Sequence, residues 1–180
     1  TIYFGAPSGG IWKSTNAGES WTPLSDYLPQ IGVSGIAIDP NNSNIIYIST
    51  GDKDASDSYS VGVLKSVDGG TTWSTTGLTF NNSFKGAGDI LINPTNSQML
   101  WCATSTGVYR TINGGTSWTN QFSGNFTQGS LRIKPNDPTV VYVSSRNKLY
   151  KSTDSGSTFL NIGIADLPLD SGRLIFDVTA

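Results

Sequence analysis

The side chains able to do chemistry here are mostly carboxylates, because the 180 residues include 13 Asp and Glu but no histidine and one cysteine. Three of the acids, Asp52, Asp54 and Asp57, crowd into the stretch 51–60. Oxygen ligands so close together could hold a Ca²⁺ ion. Their D-x-D-x-x-D spacing lacks the turn glycine and distal bidentate glutamate of an EF-hand, and a solvated acidic loop accounts for the same residues without metal. Asp68 and Asp154 are a second candidate pair, each lying in a repeated octapeptide where a carboxylate could act as general acid or base. Without histidine the chain cannot build His-based general base catalysis or a His/Cys zinc site, and a lone cysteine rules out an internal disulfide. Cys102 sits in the apolar run Leu100-Trp101-Cys102-Ala103 and reads as a small buried side chain. Arg110, Arg132, Arg146 and Arg173 are scattered over different elements. No cofactor is called for by these residue types.

The elements that must position these groups are short strands. Only 13% of residues are charged, against about 25% in an ordinary soluble domain, while 24 Ser, 20 Thr, 14 Asn and 21 Gly supply turn formers and small hydrogen-bonding side chains. A net charge of −2 offers no broad cationic surface, so neither nucleic acid nor an anionic bilayer is an expected partner. No apolar run reaches the ~18 residues of a membrane span, and the start Thr1-Ile2-Tyr3-Phe4 has no signal-peptide pattern. The absence of an initiator Met reads as a processed or excised piece of a longer protein.

An internal repeat decides the fold class. Ser14-Thr15-Asn16-Ala17-Gly18-Glu19-Ser20-Trp21, Ser66-Val67-Asp68-Gly69-Gly70-Thr71-Thr72-Trp73, Thr111-Ile112-Asn113-Gly114-Gly115-Thr116-Ser117-Trp118 and Ser152-Thr153-Asp154-Ser155-Gly156-Ser157-Thr158-Phe159 share the form [ST]-x-[DN]-x-G-x-[ST]-[WF]. Their first residues fall 52, 45 and 41 positions apart, the length of a four-stranded propeller blade. Each box follows a short strand such as Val63-Leu64-Lys65 or Val108-Tyr109-Arg110. Upstream of three boxes recur Ile36-Ala37-Ile38-Asp39-Pro40, Ile90-Leu91-Ile92-Asn93-Pro94 and Leu131-Arg132-Ile133-Lys134-Pro135, each leading through a polar turn to another strand. In this reading the box is a hairpin between third and fourth strands: Asp or Asn accepts loop N–H groups, Gly takes a positive φ, and Trp or Phe packs between sheets. Repetition in every blade suits a structural corner better than one active site, and Asn16 and Asn113 could not act as acids.

These boxes resemble the Asp-box family, the bacterial neuraminidase repeats found in propellers of sialidases, sortilin-type receptors and glycoside hydrolase family 74. The resemblance covers essentially the whole chain. Residues 2–80 are most similar to family 74 repeats and to sortilin-like propellers of secreted bacterial proteins, some of which carry a type 9 secretion sorting domain. It implies an all-β propeller of four-stranded antiparallel blades, an exported or cell-surface location, and the remaining blades of a parent chain as partners.

The expected strands lie near 2–6, 10–14, 36–39, 45–50, 61–66, 90–93, 99–104, 107–111, 131–134, 140–145, 148–152 and 173–178, with a short outer strand after each box. Residues 1–30 form an incomplete blade, 31–80, 88–122 and 130–162 three more, and 172–180 the first strand of the next. The chain is expected to be an arc of a larger ring, so 173–178 should not pair with 2–6. Trp21, Trp73, Trp118 and Phe159 are expected to be buried between sheets.

Alternating strand direction puts the box turns on one face and the variable loops on the other, where binding belongs. That loop face is assigned the candidate binding residues Tyr27, Asp52, Asp54, Asp57, Tyr59, Phe80, Phe84, Phe122 and Phe126. The rings could stack on a sugar or take a peptide side chain, or simply pack on their own sheets. A family 74 enzyme carries a catalytic Asp before a Gly-Gly pair entering a third strand; the matching stretch Ala6-Pro7-Ser8-Gly9-Gly10-Ile11-Trp12 has none. The sialidase Arg-Ile-Pro motif is missing too. The expectation is therefore a non-catalytic binding or structural module with a glycan or protein ligand. The alternative is a fragment of a family 74-like hydrolase whose catalytic acids lie elsewhere.

Overall fold

The computed structural model describes residues 1–29, 31–53, 58–80, 86–146, 148–163 and 174–180, and every regular element among them is a β-strand. The first sheet holds β1 (Ile2–Ala6), β2 (Gly10–Ser14) and β3 (Thr22–Pro23). The second holds β4 (Val33–Ile38), β5 (Ile46–Thr50), β6 (Val63–Ser66) and β7 (Ser74–Thr75), and the third β8 (Ala87–Asn93), β9 (Asn96–Thr104), β10 (Gly107–Thr111) and β11 (Thr119–Ser123). The fourth holds β12 (Leu131–Lys134), β13 (Asp137–Ser145), β14 (Lys148–Ser152) and β15 (Leu160–Asn161). Within each sheet every strand pairs antiparallel with the next in sequence, the meander of a propeller blade.

Strand alternation sends successive side chains to opposite faces, and the register fixes which blade each meets. Opposite Tyr47 stands Lys65, and this pair faces the third blade; Ile46, paired with Ser66, and Ile48, paired with Leu64, face the first. Ile46, Ile48, Leu64 and Trp73 thus join Ile11, Ile31 and Val33 in one core. Leu100 and Cys102 close the next core with Tyr47, Val63 and Leu78, and Trp101, Val141, Val143 and Phe159 share the third with Phe126 and Leu131. The hydrophobic core lies between blades, so a blade is stable only beside a neighbour.

That rule explains two departures from expectation. Trp73 and Phe159 are buried and Trp118 half-buried, but Trp21 is 39% exposed. Each box aromatic packs against the blade before it: Trp73 Nε1 donates to the Leu24 carbonyl at 3.1 Å. The first blade has no predecessor here, and Ile2 and Phe4, equivalent by register to Ile46 and Ile48, stand 45% and 51% exposed beside Trp21. The second departure is the tail. Residues 174–180 form no strand, because a first strand finds its ladder partner in the second strand of its own blade. The tail instead lies against the fourth blade: Ser144 donates to the Leu174 carbonyl at 2.9 Å, Phe176 meets Tyr142 edge-on at 6.4 Å, and Asp177 pairs with Arg132 at 3.3 Å. Among the described residues β1 pairs only with β2, and the ring does not close through 2–6.

The four box hairpins share one geometry. The opening hydroxyl of Ser14, Ser66, Thr111 or Ser152 accepts the N–H of the glycine four residues on, at Gly18, Gly70, Gly115 and Gly156. It donates to the side chain at position three, which accepts the N–H four residues further along, as Asp68 does from Thr72 at 2.8 Å and Asn113 from Ser117 at 3.0 Å. Positions four and five are left-handed in every box, with φ of 60° and 97° at Ala17 and Gly18 and 57° and 73° at Ser155 and Gly156. Glycine adopts that conformation without steric cost, whereas Ala17 and Ser155 hold it against one.

The acid and amide forms of the box differ in one testable way. Hydrogen bonds from Thr72 and then Ser66 hold the Asp68 carboxyl at about 2, and those from Ser152 and Thr158 hold Asp154 at about 2. Both values lie below the roughly 3.9 of an unfolded aspartate, so this stabilisation is full above that pH and is lost as pH falls toward 2. Asn16 turns the last bond around, its Nδ2 donating to Ser20 Oγ at 2.9 Å, and carries no proton to gain. Urea midpoints measured from pH 5 to pH 2 should therefore fall less steeply in Asp68→Asn/Asp154→Asn than in the wild type; parallel curves would contradict the pairing.

Candidate functional site

With β2, β6, β10 and β14 running into the boxes, the opposite face is built from the turns after β1, β5, β9 and β13 and from the segments entering β4, β8 and β12. Two hollows lined by described residues are found there. The larger, about 340 Å³, is lined by Ser8, Gly9, Gly10, Trp12, Ser25, Asp26, Leu28, Pro29 and Ile31. Local bonds shape it: Trp12 Nε1 donates to the Gly9 carbonyl at 2.7 Å, Ser25 Oγ accepts from Ile11 N–H at 3.0 Å, and Leu28 N–H bonds the Ser25 carbonyl at 2.9 Å. Gly10 is required on two counts, a φ of 68° and the 1.9 Å at which a Cβ would meet Ser25 Oγ. An indole beside one carboxylate and two hydroxyls, in a hollow of ligand size, is suited to a polyhydroxylated ring.

The smaller hollow, about 120 Å³, joins three blades through Lys53, Asn125, Thr127, Gln128, Gly129 and Arg146. Ser34 anchors its Lys53 side, donating to the Gly51 carbonyl at 2.6 Å and accepting from Lys53 N–H at 3.0 Å. Asn125 is fixed by Thr127 N–H on its Oδ1 at 3.1 Å and by Ser145 Oγ on its carbonyl at 2.7 Å. Arg146 turns the β13–β14 corner at a φ of 49°, and neither cation forms an ion pair among the described residues. The lining suits polar oxygens.

The sequence-derived binding residues fall elsewhere. Tyr27, 59% exposed, donates its hydroxyl to the Thr71 carbonyl at 3.2 Å, bracing the next blade's box loop; burial, aided by the negative charge of Asp68, raises its phenol pKa. Phe122 and Phe126 lie 5.3 Å apart against Tyr150 and Phe159 in the core between the third and fourth blades. Phe80 packs on the core between the second and third. Tyr59 is 44% exposed, and Asp52 is buried at the head of its loop. Asp54, Asp57 and Phe84 lie outside the described residues, and among those described no three acid, His or Cys side chains gather as a metal site. Asp68 and Asp154 spend their oxygens on their own loops. Burial, with the charge of Asp89 adding, pushes the Cys102 thiol up, leaving no thiolate for attack.

Trp12, Asp26, Lys53 and Arg146 were not singled out by sequence reasoning. The Gly9-Gly10 pair was the available signal, since it marks the turn around which the larger hollow forms. Asp26 is the one carboxylate among the described residues lining either hollow, whereas glycoside hydrolysis uses two.

No family model matches the chain. It is 29% identical over 184 residues to the xyloglucanase Xgh74A of Acetivibrio thermocellus, covering 98% of this chain and 17% of that protein. To a xyloglucanase of a Paenibacillus species it is 27% identical over 169 residues, covering 89% and 13% respectively. The crystal structure of an ancestral GH74 enzyme, a member of glycoside hydrolase family 74, superposes with a TM-score of 0.73 at 25% identity, over 91% of this chain and 22% of that one. The chain thus spans less than a fifth of the length of these two curated relatives, and its fold is that of GH74 propeller blades.

Proposed function

We propose that the chain is an arc of a larger, exported GH74-type propeller, that its Asp-box hairpins are structural corners, and that its loop face binds a β-glucan of the xyloglucan class. The observation that carries this reading is the sequence similarity to xyloglucanases along nearly the whole chain, joined to a ligand-sized hollow under Trp12 on the loop face. The carboxylate pair that breaks the bond lies outside the arc, in keeping with the single Asp26 of the lining. Of the two readings open from the sequence, the relatives favour the hydrolase fragment over the non-catalytic module. Export follows from the substrate, since a polymeric glucan is met outside the cell.

Calorimetric titration with xyloglucan oligosaccharides tests it. The wild-type chain should bind, and Trp12→Ala should weaken binding by roughly 2- to 10-fold, the range of one lost aromatic contact. Chitin or starch oligosaccharides should not compete. Absence of binding by a folded wild-type chain would sink the proposal.

A further inference from the structure

The described cations divide by face. Lys13, Lys65 and Arg110, on the strands that run into the boxes, donate to the main-chain carbonyls of Gly69, Gly114 and Ser155 in the next blade. Arg132 pairs with Asp89 and Asp177, Lys134 pairs with Asp137, and Lys151 stands 5.8 Å over the Tyr142 ring. Lys53, Arg146 and Lys148 are the remaining described cations, and none of the three has an ion pair or a side-chain hydrogen bond among the described residues. All three lie at the loop face, Lys53 beyond the end of β5 and the other two around the β13–β14 turn. In a chain of net charge −2, the unspent positive charge is therefore on the face assigned to binding.

Lys53 and Arg146 wall the 120 Å³ hollow, and no carboxylate is among its described lining residues. An amide adds to the donors. The Thr127 N–H and hydroxyl both bond Asn125 Oδ1, which leaves the Asn125 NH₂ group without a partner among the described residues. Arg146 keeps its long cationic side chain at a φ of 49°, where glycine would sit without steric cost. Two charges and an amide, all donors, suit an oxyanion: the guanidinium fork matches the two oxygens of a carboxylate, and the ammonium adds a point charge. Volume decides how much of a ligand enters. The hollow falls well below the roughly 300 Å³ at which whole-ligand sites begin, so it takes one charged group while the body of the ligand stays outside.

We infer that this hollow is a subsite for the carboxylate of an acidic saccharide, a uronic-acid unit carried on the glucan that the loop face binds. The inference rests on the reading of that face as a glucan-binding surface. The carboxylate is held by Lys53, Arg146 and the Asn125 amide, and the sugar ring remains at the mouth.

An amide-resolved NMR titration of the 180-residue chain with methyl β-D-glucuronide tests it, with methyl β-D-glucoside, acetate and sulfate as comparison ligands. The glucuronide should shift resonances at 53, 125–129 and 146, and its binding should weaken as ionic strength rises. Lys53→Gln/Arg146→Gln should weaken glucuronide binding roughly tenfold or more, whereas Lys53→Arg/Arg146→Lys, which keeps both charges, should retain most of it. Arg146 is exposed and Lys53 half-buried, and circular dichroism checks that the sheets remain in both variants. No shift with the glucuronide, equal shifts with the neutral glucoside, binding no tighter than that of acetate or sulfate, or unchanged affinity in the Gln variant would each overturn the inference. Neither cation lines the Trp12 hollow, so neutral xyloglucan oligosaccharides should bind the Gln variant as they bind wild type. Failure of those oligosaccharides to bind wild type would count against the function proposed above, while the glucuronide titration still decides this subsite.

Discussion

Trp73→Ala is expected to destabilise the chain by about 3–5 kcal/mol, and the same substitution at Trp21, the equivalent box position, by about 1 kcal/mol or less. The two tryptophans occupy the same place in the repeat, so local sequence gives no reason for a difference. Their neighbours do. Trp73 is buried in the core between the first two blades with its indole N–H on the Leu24 carbonyl, so alanine opens a cavity and strands an acceptor. Trp21 touches Phe4 edge-on at 6.0 Å and is 39% exposed. Chemical denaturation of the two variants measures the contrast. Equal losses would mean that the box aromatic stabilises its own hairpin rather than the blade junction.

Trp101→Ala is expected to cost a similar 3–5 kcal/mol. Trp101 is completely buried at the junction of the third and fourth blades and donates one of the two hydrogen bonds to the Ser155 carbonyl. Gly156 packs so closely that a Cβ there would come within 2.2 Å of the indole nitrogen, so this box loop is shaped around the ring. Trp101→Tyr supplies the residue that the other three blades carry at this position, Tyr3, Tyr47 and Tyr142, and should recover part of the loss. If the tyrosine variant were no more stable than the alanine one, the Ser155 carbonyl would have no preference for an aromatic donor.

Much of the fold is legible in the sequence because the repeat is local. A box of eight residues closes its own hairpin with side chains that bond two and four positions along, so its geometry travels with its sequence, and the strands flanking Ser66 or Thr111 follow from alternation. What could not be read was which partner each buried face would meet. Tyr27 and Phe126 look alike as loop aromatics, yet one braces a neighbouring box and the other enters a core, and that is settled by contacts across blades. The candidate site was hidden for the same reason. Trp12 is a strand residue by pattern, and it becomes a hollow's wall only when residues 25–29 and Ile31 come beside Gly9 and Gly10. Lys53, Asn125 and Arg146 come together from three blades with no shared motif.

Hydrogen exchange with and without a xyloglucan oligosaccharide tests the central claim most directly, because it reads every described strand and both faces of the arc in one experiment. The account predicts slow exchange throughout β5, β9 and β13, and added protection on glucan binding confined to the loop face, at residues 7–12 and 25–31 and extending to 125–130 if the chain of sugars reaches the second hollow. Added protection at the box turns instead, or none anywhere at saturating oligosaccharide, would contradict it.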